Sequence, residues 1–497
     1  MKVSEIVDQN PWWAEGEEFV SHDLHLSGAK PVFFRRRPLE MAPGGIYVLR
    51  GPRQVGKTTY FKETVKELLK RGVPPRNILY LSVDFFTSRR ELRGALNYFL
   101  GTTVEAERVY LLFDEVTAIP DWNLELKRLA DQGVTRRAVV LCSGSSAPRL
   151  KEKAELLPGR GLEGKERYIK PLSFREFVLQ VAGYLAEMVR SEELAGRLGK
   201  LRPVLSGCEV DVGASIEEVR KAVSELLPYK RELQYLFGLY LTTGGIPLVI
   251  NHYLRNRYER SQEGIDPQVA EVFVRSVLGD LTQLKRQETV AREILKELIV
   301  RYGTRYSFST LSHEIERNHA TVIDYLTLMQ ESFILFVHYA YDFGRNEVKD
   351  KGDKKVYFLD PFIYYSVKSY LSGRGVWEVV TETLGDEDLS GGIVEGVVLS
   401  HLLMHGEVPY LREGRTFLWY YYGRSGRELD AMLRLRRGFR GIEVKYRARV
   451  DERDIRKVAP VRDYILLSRD EVDGGKDLLV APVDIFLSLL PVSEGNI

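Results

Sequence analysis

Gly51-Pro52-Arg53-Gln54-Val55-Gly56-Lys57-Thr58 satisfies the pattern GxxxxGK[ST]. Its neighbours give the pattern meaning. Ile46–Arg50 before it is a short apolar run of strand character. Thr58–Lys70 after it carries Phe61, Val65, Leu68 and Leu69 on one side of a helix, closed by Gly72 and Pro74-Pro75. Between a strand and a helix, the glycines let backbone N–H groups curl around phosphate oxygens. The positive end of the helix dipole points at the same anion. Lys57 reaches the β- and γ-phosphates, and the Thr58 hydroxyl ligates Mg²⁺. The expected ATP-binding set is Gly51, Pro52, Arg53, Gln54, Val55, Gly56, Lys57, Thr58 and Thr59.

Working outward, Ile78–Val83, Val109–Phe113 and Ala138–Cys142 are apolar runs of strand length separated by helical stretches. Strands alternating with helices imply an α/β fold with a parallel sheet covered on both faces. Val109-Tyr110-Leu111-Leu112-Phe113 ends in Asp114-Glu115. Asp114 is placed to hold Mg²⁺ through water, and Glu115 to orient or deprotonate the attacking water. A switch that binds nucleotide without turnover has no need of Glu115, so its presence favours hydrolysis. The next strand ends Cys142-Ser143-Gly144-Ser145-Ser146, where Ser143 is the better candidate to sense the γ-phosphate; an ordinary Ser/Gly turn is the alternative. Leu157-Pro158-Gly159-Arg160 sets an arginine in a loop. Arg160 serves either a neighbouring subunit's γ-phosphate or only the surface.

The chain has 497 residues, room for about three or four domains. Apolar residues make up 44% and charged residues 29%, which excludes a disordered chain. The net charge of +2 excludes a global polyelectrolyte field, so any nucleic-acid preference must be local. Cys142 and Cys208 stand far apart, against a disulfide scaffold and for a reducing, cytoplasmic setting. The start lacks the apolar core of a signal peptide, and no stretch approaches a membrane span. Many charges with few Cys, Met and His suggest a thermophile.

Trp12 and Trp13 read as a brace packed on the following domain, with contact to a nucleotide base as the alternative. Arg35-Arg36-Arg37 is a phosphate-facing run or a solvated face. Residues 150–285 are mainly helical. Residues 289–359 run helix, short helix, helix, strand, strand, the order of a winged helix. Its third helix, Thr321–Glu331, has no lysine or arginine, so base reading is not expected. The wing turn holds Arg345, Lys349, Lys351, Lys354 and Lys355, placed for backbone contact.

The last 105 residues read helix, strand, strand, helix, strand. Glu395 lies on the first helix, Asp430 on a strand, and Glu443 with Lys445 on the next. Period-2 geometry puts Glu443 and Lys445 on one face, and a hairpin through Arg437-Gly438 brings Asp430 beside them. Asp430 and Glu443 are candidate ligands for Mg²⁺ or Mn²⁺, with Lys445 beside the activated water and Glu395 completing the site: the requirements of metal-assisted phosphodiester hydrolysis. An ordinary pair of charged strands is the alternative. Residues 411–457 hold fourteen Lys/Arg and seven Asp/Glu, a local +7 that suits a nucleic-acid backbone. His401 and His405 lie four apart without a third ligand, which favours a structural role.

The phosphate loop, Asp114-Glu115, Ser143-Gly144-Ser145-Ser146, Gly159-Arg160 and Pro171-Leu172-Ser173-Phe174-Arg175-Glu176-Phe177 together resemble the archaeal and bacterial AAA-type ATPases of the AAA_14/DUF4143 group. Gly244-Gly245-Ile246-Pro247 resembles that group's helical lid motif. The resemblance implies a P-loop AAA-type domain, a helical lid, a winged helix and a C-terminal restriction-endonuclease-like domain, with Arg160 as arginine finger. The Asp430, Glu443 and Lys445 set resembles the PD-(D/E)xK nuclease core, although Leu429 precedes Asp430 where the motif has proline. The expected divisions are 1–40, 41–180, 181–285, 286–375 and 376–497. The leading expectation is a homo-oligomeric, Mg²⁺-dependent ATPase coupled to a DNA-binding and DNA-cleaving domain. The rival is an ATP-operated switch whose endonuclease-like domain binds DNA or protein without cutting. A metabolic kinase is disfavoured, because no acceptor site is evident.

Overall fold

The computed structural model describes residues 3–28, 30–144, 165–283, 286–406, 416–423, 426, 428–436 and 438–491. The chain divides into two compact units. Among the described residues, one holds the chain up to Lys30 and Arg35–Lys170; the other holds Pro31–Phe34 and the chain from Pro171 to Pro491.

The first unit is built on β1 (Ile46–Arg50), β2 (Ile78–Ser82), β3 (Val109–Asp114), β4 (Ala138–Ser143) and β5 (Glu166–Tyr168). All pair in parallel, in the order β2-β3-β4-β1-β5. β1, β3 and β4 are buried along their whole length, which is why they read as unbroken apolar runs. Helix Lys57–Lys70 follows β1 and buries Tyr60, Phe61, Val65, Leu68 and Leu69. The sequence reading missed β5, because Glu166-Arg167-Tyr168 is short and carries two charges.

At the other edge, the N-terminal segment closes β2. The Asn10 amide donates to the Tyr80 carbonyl (2.9 Å) and its oxygen accepts from the Tyr80 N–H (2.7 Å). Gln9 Oε1 accepts from Ser82 N–H at 2.7 Å, and the indole N–H groups of Trp12 and Trp13 both donate to the Ile78 carbonyl, at 3.1 and 2.8 Å. These are the groups that a further strand would otherwise take. Both tryptophan rings are buried against the sheet edge instead of facing a base.

The second unit opens with helices Phe174–Met188, Glu192–Gly207, Ile216–Leu226, Lys230–Thr243 and Pro247–Leu254. The Pro171–Phe177 motif has a physical purpose here. Ser173 and Glu176 form a reciprocal capping box on the first helix. Buried Arg175 donates to the carbonyls of Leu205, Cys208 and Ser488. The Gly244-Gly245 turn is equally tight: a β-carbon on Gly245 would lie 2.1 Å from the Leu172 carbonyl oxygen, and Gly245 N–H donates to Asp360 at 2.7 Å.

Helices Glu288–Val300, Phe308–Glu314 and His319–Glu331 lead into β6 (Leu335–Tyr339). A small ribbon of β7 (Tyr341–Asp342) and β8 (Glu347–Val348) follows, then β9 (Lys354–Phe358), antiparallel to β6. Helix Glu387–His405 precedes a mixed sheet of β10 (Leu418–Tyr422), β11 (Glu428–Leu435), β12 (Gly438–Val444), β13 (Val461–Ser468) and β14 (Leu478–Pro482), in that spatial order. β10, β11 and β12 are antiparallel neighbours; β13 and β14 add in parallel. The expected order of helix, strand, strand, helix, strand is corrected. Among the described residues, the crossover from β12 to β13 contains only a 3₁₀ turn, Glu452–Asp454, and a helix, Val483–Leu489, closes the sheet. The crossover is dense in charge, and its apolar Val450, Ile455 and Val458 pack onto the core of the sheet from an irregular path. No single helix among the described residues is long and apolar enough to cross a membrane.

Candidate functional site

β1 ends at Arg50 and the chain turns at once. A β-carbon on Gly51 would lie 2.0 Å from the carbonyl oxygen of Ile169, so only glycine fits. Gln54 (φ 65°) and Gly56 (φ 96°) take left-handed conformations that roll the loop into helix Lys57–Lys70. Lys57 is buried, and its ammonium donates to the carbonyls of Gly51 (3.0 Å) and Pro52 (2.7 Å).

Asp114, at the end of β3, is 1% exposed. Its Oδ2 accepts from the Thr58 hydroxyl at 2.7 Å and from the Tyr80 hydroxyl at 3.3 Å; its Oδ1 accepts from the Ser143 hydroxyl. Three elements, the helix after the loop, β2 and β4, thereby fix one carboxylate. Burial, then the charge of Asp114, raises the Tyr80 pKa far above the ordinary phenol value, so Tyr80 stays a donor. Glu115 follows in a left-handed conformation (φ 55°), and its N–H donates to Ser143 Oγ at 3.3 Å. A non-glycine residue in that region costs on the order of 1–3 kcal/mol and persists only where its surroundings impose it. Thr58 and Asp114 are hard oxygen donors that meet at one point, the donor set that fits Mg²⁺. A Mg²⁺ held there would offset charge on the β- and γ-phosphates.

The second constellation lies in the C-terminal sheet. Asp430 Oδ2 accepts from Val444 N–H (2.9 Å), and Glu443 Oε2 accepts from Asp430 N–H (3.3 Å). Lys445 Nζ is 2.7 Å from Glu443 Oε1. Glu395 approaches from helix Glu387–His405. The four sequence-predicted residues are therefore neighbours, through the β11–β12 hairpin register. Two more join them. Lys355, on β9, places Nζ 2.9 Å from Glu395, 2.9 Å from Glu428 and 3.5 Å from Asp430. Tyr357 donates to Glu395 at 2.5 Å. Burial, then Asp430, pushes the Glu443 carboxyl up to about 8, and the same causes raise Glu395. Burial opposes the charge on Lys355, but the surrounding oxygens outweigh it and raise its pKa well above the ordinary lysine value. Among the described residues, no group of three or more His, Cys, Asp or Glu side chains is arranged to hold a metal ion. The Mg²⁺ or Mn²⁺ expected at Glu395, Asp430 and Glu443 does not fit this arrangement, because an ammonium stands among the carboxylates.

Residues 44–178 match the AAA domain family, AAA_14. Residues 234–373 and 390–475 match two domains of unknown function, DUF8612 and DUF4143. Two uncharacterized proteins of Methanocaldococcus jannaschii are similar: one 24% identical over 322 residues, covering 63% of this chain and 60% of the relative, the other 27% identical over 180 residues, covering 36% and 37%. The chain thus spans about three fifths and under two fifths of these relatives' lengths. Among solved structures, a Walker-type ATPase of Pyrococcus abyssi is 14% identical, with 65% of this chain and 91% of that one covered and a TM-score of 0.37. The Aeropyrum pernix ORC1 protein in complex with DNA is 12% identical, with 73% and 92% covered and a TM-score of 0.27.

Within the AAA-like segment, the loop residues, Lys57, Thr58, Asp114, Glu115 and Ser143 come together, and Tyr80 joins them unforeseen. Its hydroxyl was hidden in an apolar strand pattern. Ser145, Ser146 and Arg160 lie outside the described residues. Elsewhere, several expectations need correction. Lys354 and Lys355 are buried and so not available to a nucleic-acid backbone: Lys354 donates to the carbonyls of Asp350 (2.7 Å) and Gly352 (2.8 Å), and Lys355 enters the carboxylate cluster. Arg440, one of the fourteen Lys/Arg of residues 411–457, is 1% exposed and paired with Asp463 at 2.6 Å. Arg434, Arg436, Arg447 and Arg449 are exposed. His401 is structural: its Nε2 accepts from Phe174 N–H (2.7 Å), its Nδ1 lies 2.7 Å from the Val397 carbonyl, and burial lowers its pKa to about 4.

Proposed function

We propose that this protein is a Mg²⁺-dependent ATPase whose nucleotide cycle operates a C-terminal module that binds DNA without cutting it. The observation that carries the first half is Asp114, fixed by Thr58, Tyr80 and Ser143 beside a phosphate loop, with Glu115 next to it. In this reading Lys57 and the loop N–H groups hold the phosphates. Thr58 and Asp114 hold Mg²⁺. Glu115 takes the proton of the attacking water, and the loop and Lys57 stabilise charge on the transferring phosphoryl group. Arg160 of a neighbouring copy completes the site in a homo-oligomer. Steady-state ATP hydrolysis and nucleotide binding test the assignment. Lys57→Ala should lose both. Glu115→Gln should keep binding and lose about two orders of magnitude or more of turnover, the range of a general base. Unchanged turnover in Glu115→Gln would remove the role given to it.

The second half rests on the local charge of residues 411–457 and on the exposed Arg434, Arg436, Arg447 and Arg449. Metal-dependent cleavage of DNA is the rival, favoured by the convergence of Asp430, Glu443 and Lys445. The ammonium of Lys355 among the carboxylates weighs against it.

A further inference from the structure

The carboxylate cluster of the C-terminal sheet is supplied with a cation by another part of the chain. β6 and β9 pair with His338 opposite Lys355, and Tyr357 lies two residues along the same strand. All three side chains end on the cluster. His338 Nε2 is 2.9 Å from the Asp430 carbonyl, Lys355 Nζ is 2.9 Å from both Glu395 and Glu428 and 3.5 Å from Asp430, and Tyr357 donates to Glu395. One face of this strand pair is therefore shaped to meet four groups on two elements, helix Glu387–His405 and β11. A bridge between Ala340 and Tyr420 joins the segment after β6 to the edge strand β10, and the Tyr420 hydroxyl donates to the Asp353 carbonyl at 2.6 Å.

Five of the six carboxylate oxygens of Glu395, Asp430 and Glu443 are already engaged. Glu395 Oε1 takes Lys355 and Tyr357. Asp430 Oδ1 faces Lys355, and its Oδ2 takes Val444 N–H. Glu443 uses one oxygen for Lys445 and the other for Asp430 N–H. Lys355 is 4% exposed, Asp430 6% and Glu443 5%, while the Glu395 and Glu428 side chains keep 16% and 30%, so the ammonium sits at the closed end of a cluster that opens through those two carboxylates. Oxygens about 2.9 Å from a central cation suit an ammonium; Mg²⁺ demands roughly 2.0–2.1 Å and near-octahedral geometry.

We infer that Lys355 is the resident cation of the Glu395–Glu428–Asp430 cluster in place of a divalent metal. The cluster clasps the β6–β9 pair onto the C-terminal sheet and does not hydrolyse phosphodiesters. This deepens the non-cutting half of the proposed function and is independent of the phosphate loop.

The test uses the full-length chain in an Asp114→Asn background, which silences the other metal site, with Mn²⁺ binding followed by its electron paramagnetic resonance signal. The parent and its Asp430→Asn variant should bind Mn²⁺ alike. Lys355→Met should gain a Mn²⁺ site at least tenfold tighter than any in the parent, and Asp430→Asn should abolish that gain. Asp430-dependent Mn²⁺ binding by the parent would overturn the inference. So would a folded Lys355→Met variant that gains no site. With Lys355 intact and Asp114 restored, duplex, branched and single-stranded DNA incubated with Mg²⁺ or Mn²⁺ should stay uncut, and cleavage that Asp430→Asn abolishes would equally overturn it. If Lys355→Met fails to fold, the parent, Asp430→Asn and cleavage results decide alone. ATP turnover, read on the Asp114-restored proteins, reports the phosphate-loop reading separately.

Discussion

Asp114 accepts from three hydroxyls that come from distant points of the chain, so its position is set by packing rather than by the nucleotide it would serve. Tyr80 is the informative one, since Thr58 and Ser143 each have other assignments. Tyr80→Phe removes a single hydrogen bond to a charged carboxylate, a long one at 3.3 Å and so at the weak end of its class, about 1.5 kcal/mol. ATP turnover should fall roughly two- to tenfold with little change in nucleotide affinity, and full activity in steady-state assays would show that Thr58 and Ser143 suffice. Lys57, Thr58, Asp114 and Glu115 were legible from sequence because phosphate chemistry dictates both residue type and local spacing. Tyr80 was not, because nothing in a buried strand distinguishes a tyrosine that packs from one that positions. Lys355 was misread for a related reason. A lysine in a basic turn looks like a phosphate contact until its carboxylate partners, 40 to 75 residues away, are brought to it.

At the level of elements, the parallel sheet was readable because full burial writes itself as apolar runs. The C-terminal crossover was not, because its few apolar residues, Ile455 and Val458 among them, are buried from an irregular path that follows no helical period. The turn at Gly244-Gly245 shows how a motif can serve architecture. Asp360 caps helix Pro361–Ser372 by accepting from Phe362 N–H, and also accepts from Gly245 N–H. Burial raises its pKa to about 7, only partly offset by those two donors. The fold therefore retains a proton that the unfolded chain releases near pH 4, and this contribution to stability is complete below that range and is lost as pH rises towards about 7. Asp484, pushed up to about 7 by burial, adds a contribution of the same sign. Asp360→Asn should be less stable at pH 4.5 and show a flatter decline of melting temperature up to pH 7.5. Parallel melting curves for variant and parent would refute the assignment.

For the whole molecule, a net charge of +2 hides a strongly uneven distribution, with residues 411–457 at +7 and the rest of the chain at −5 by difference. DNA affinity should fall steeply with salt and vary little with sequence, because phosphate contacts release counterions. Reversing Arg434, Arg436 and Arg437 together should flatten that slope in fluorescence-anisotropy titrations from roughly 50 to 200 mM salt. A salt-independent affinity would contradict the reading. The Gln9 and Asn10 amides on β2 carry a different consequence. They impersonate a neighbouring strand without being one, so the β2 edge is covered within a single molecule yet only side chains mark its limit. A copy nicked within its first dozen residues would keep the phosphate loop and expose a bare row of donors and acceptors. Each such copy becomes a template for the next, and damage there would surface as polymer rather than as lost chemistry.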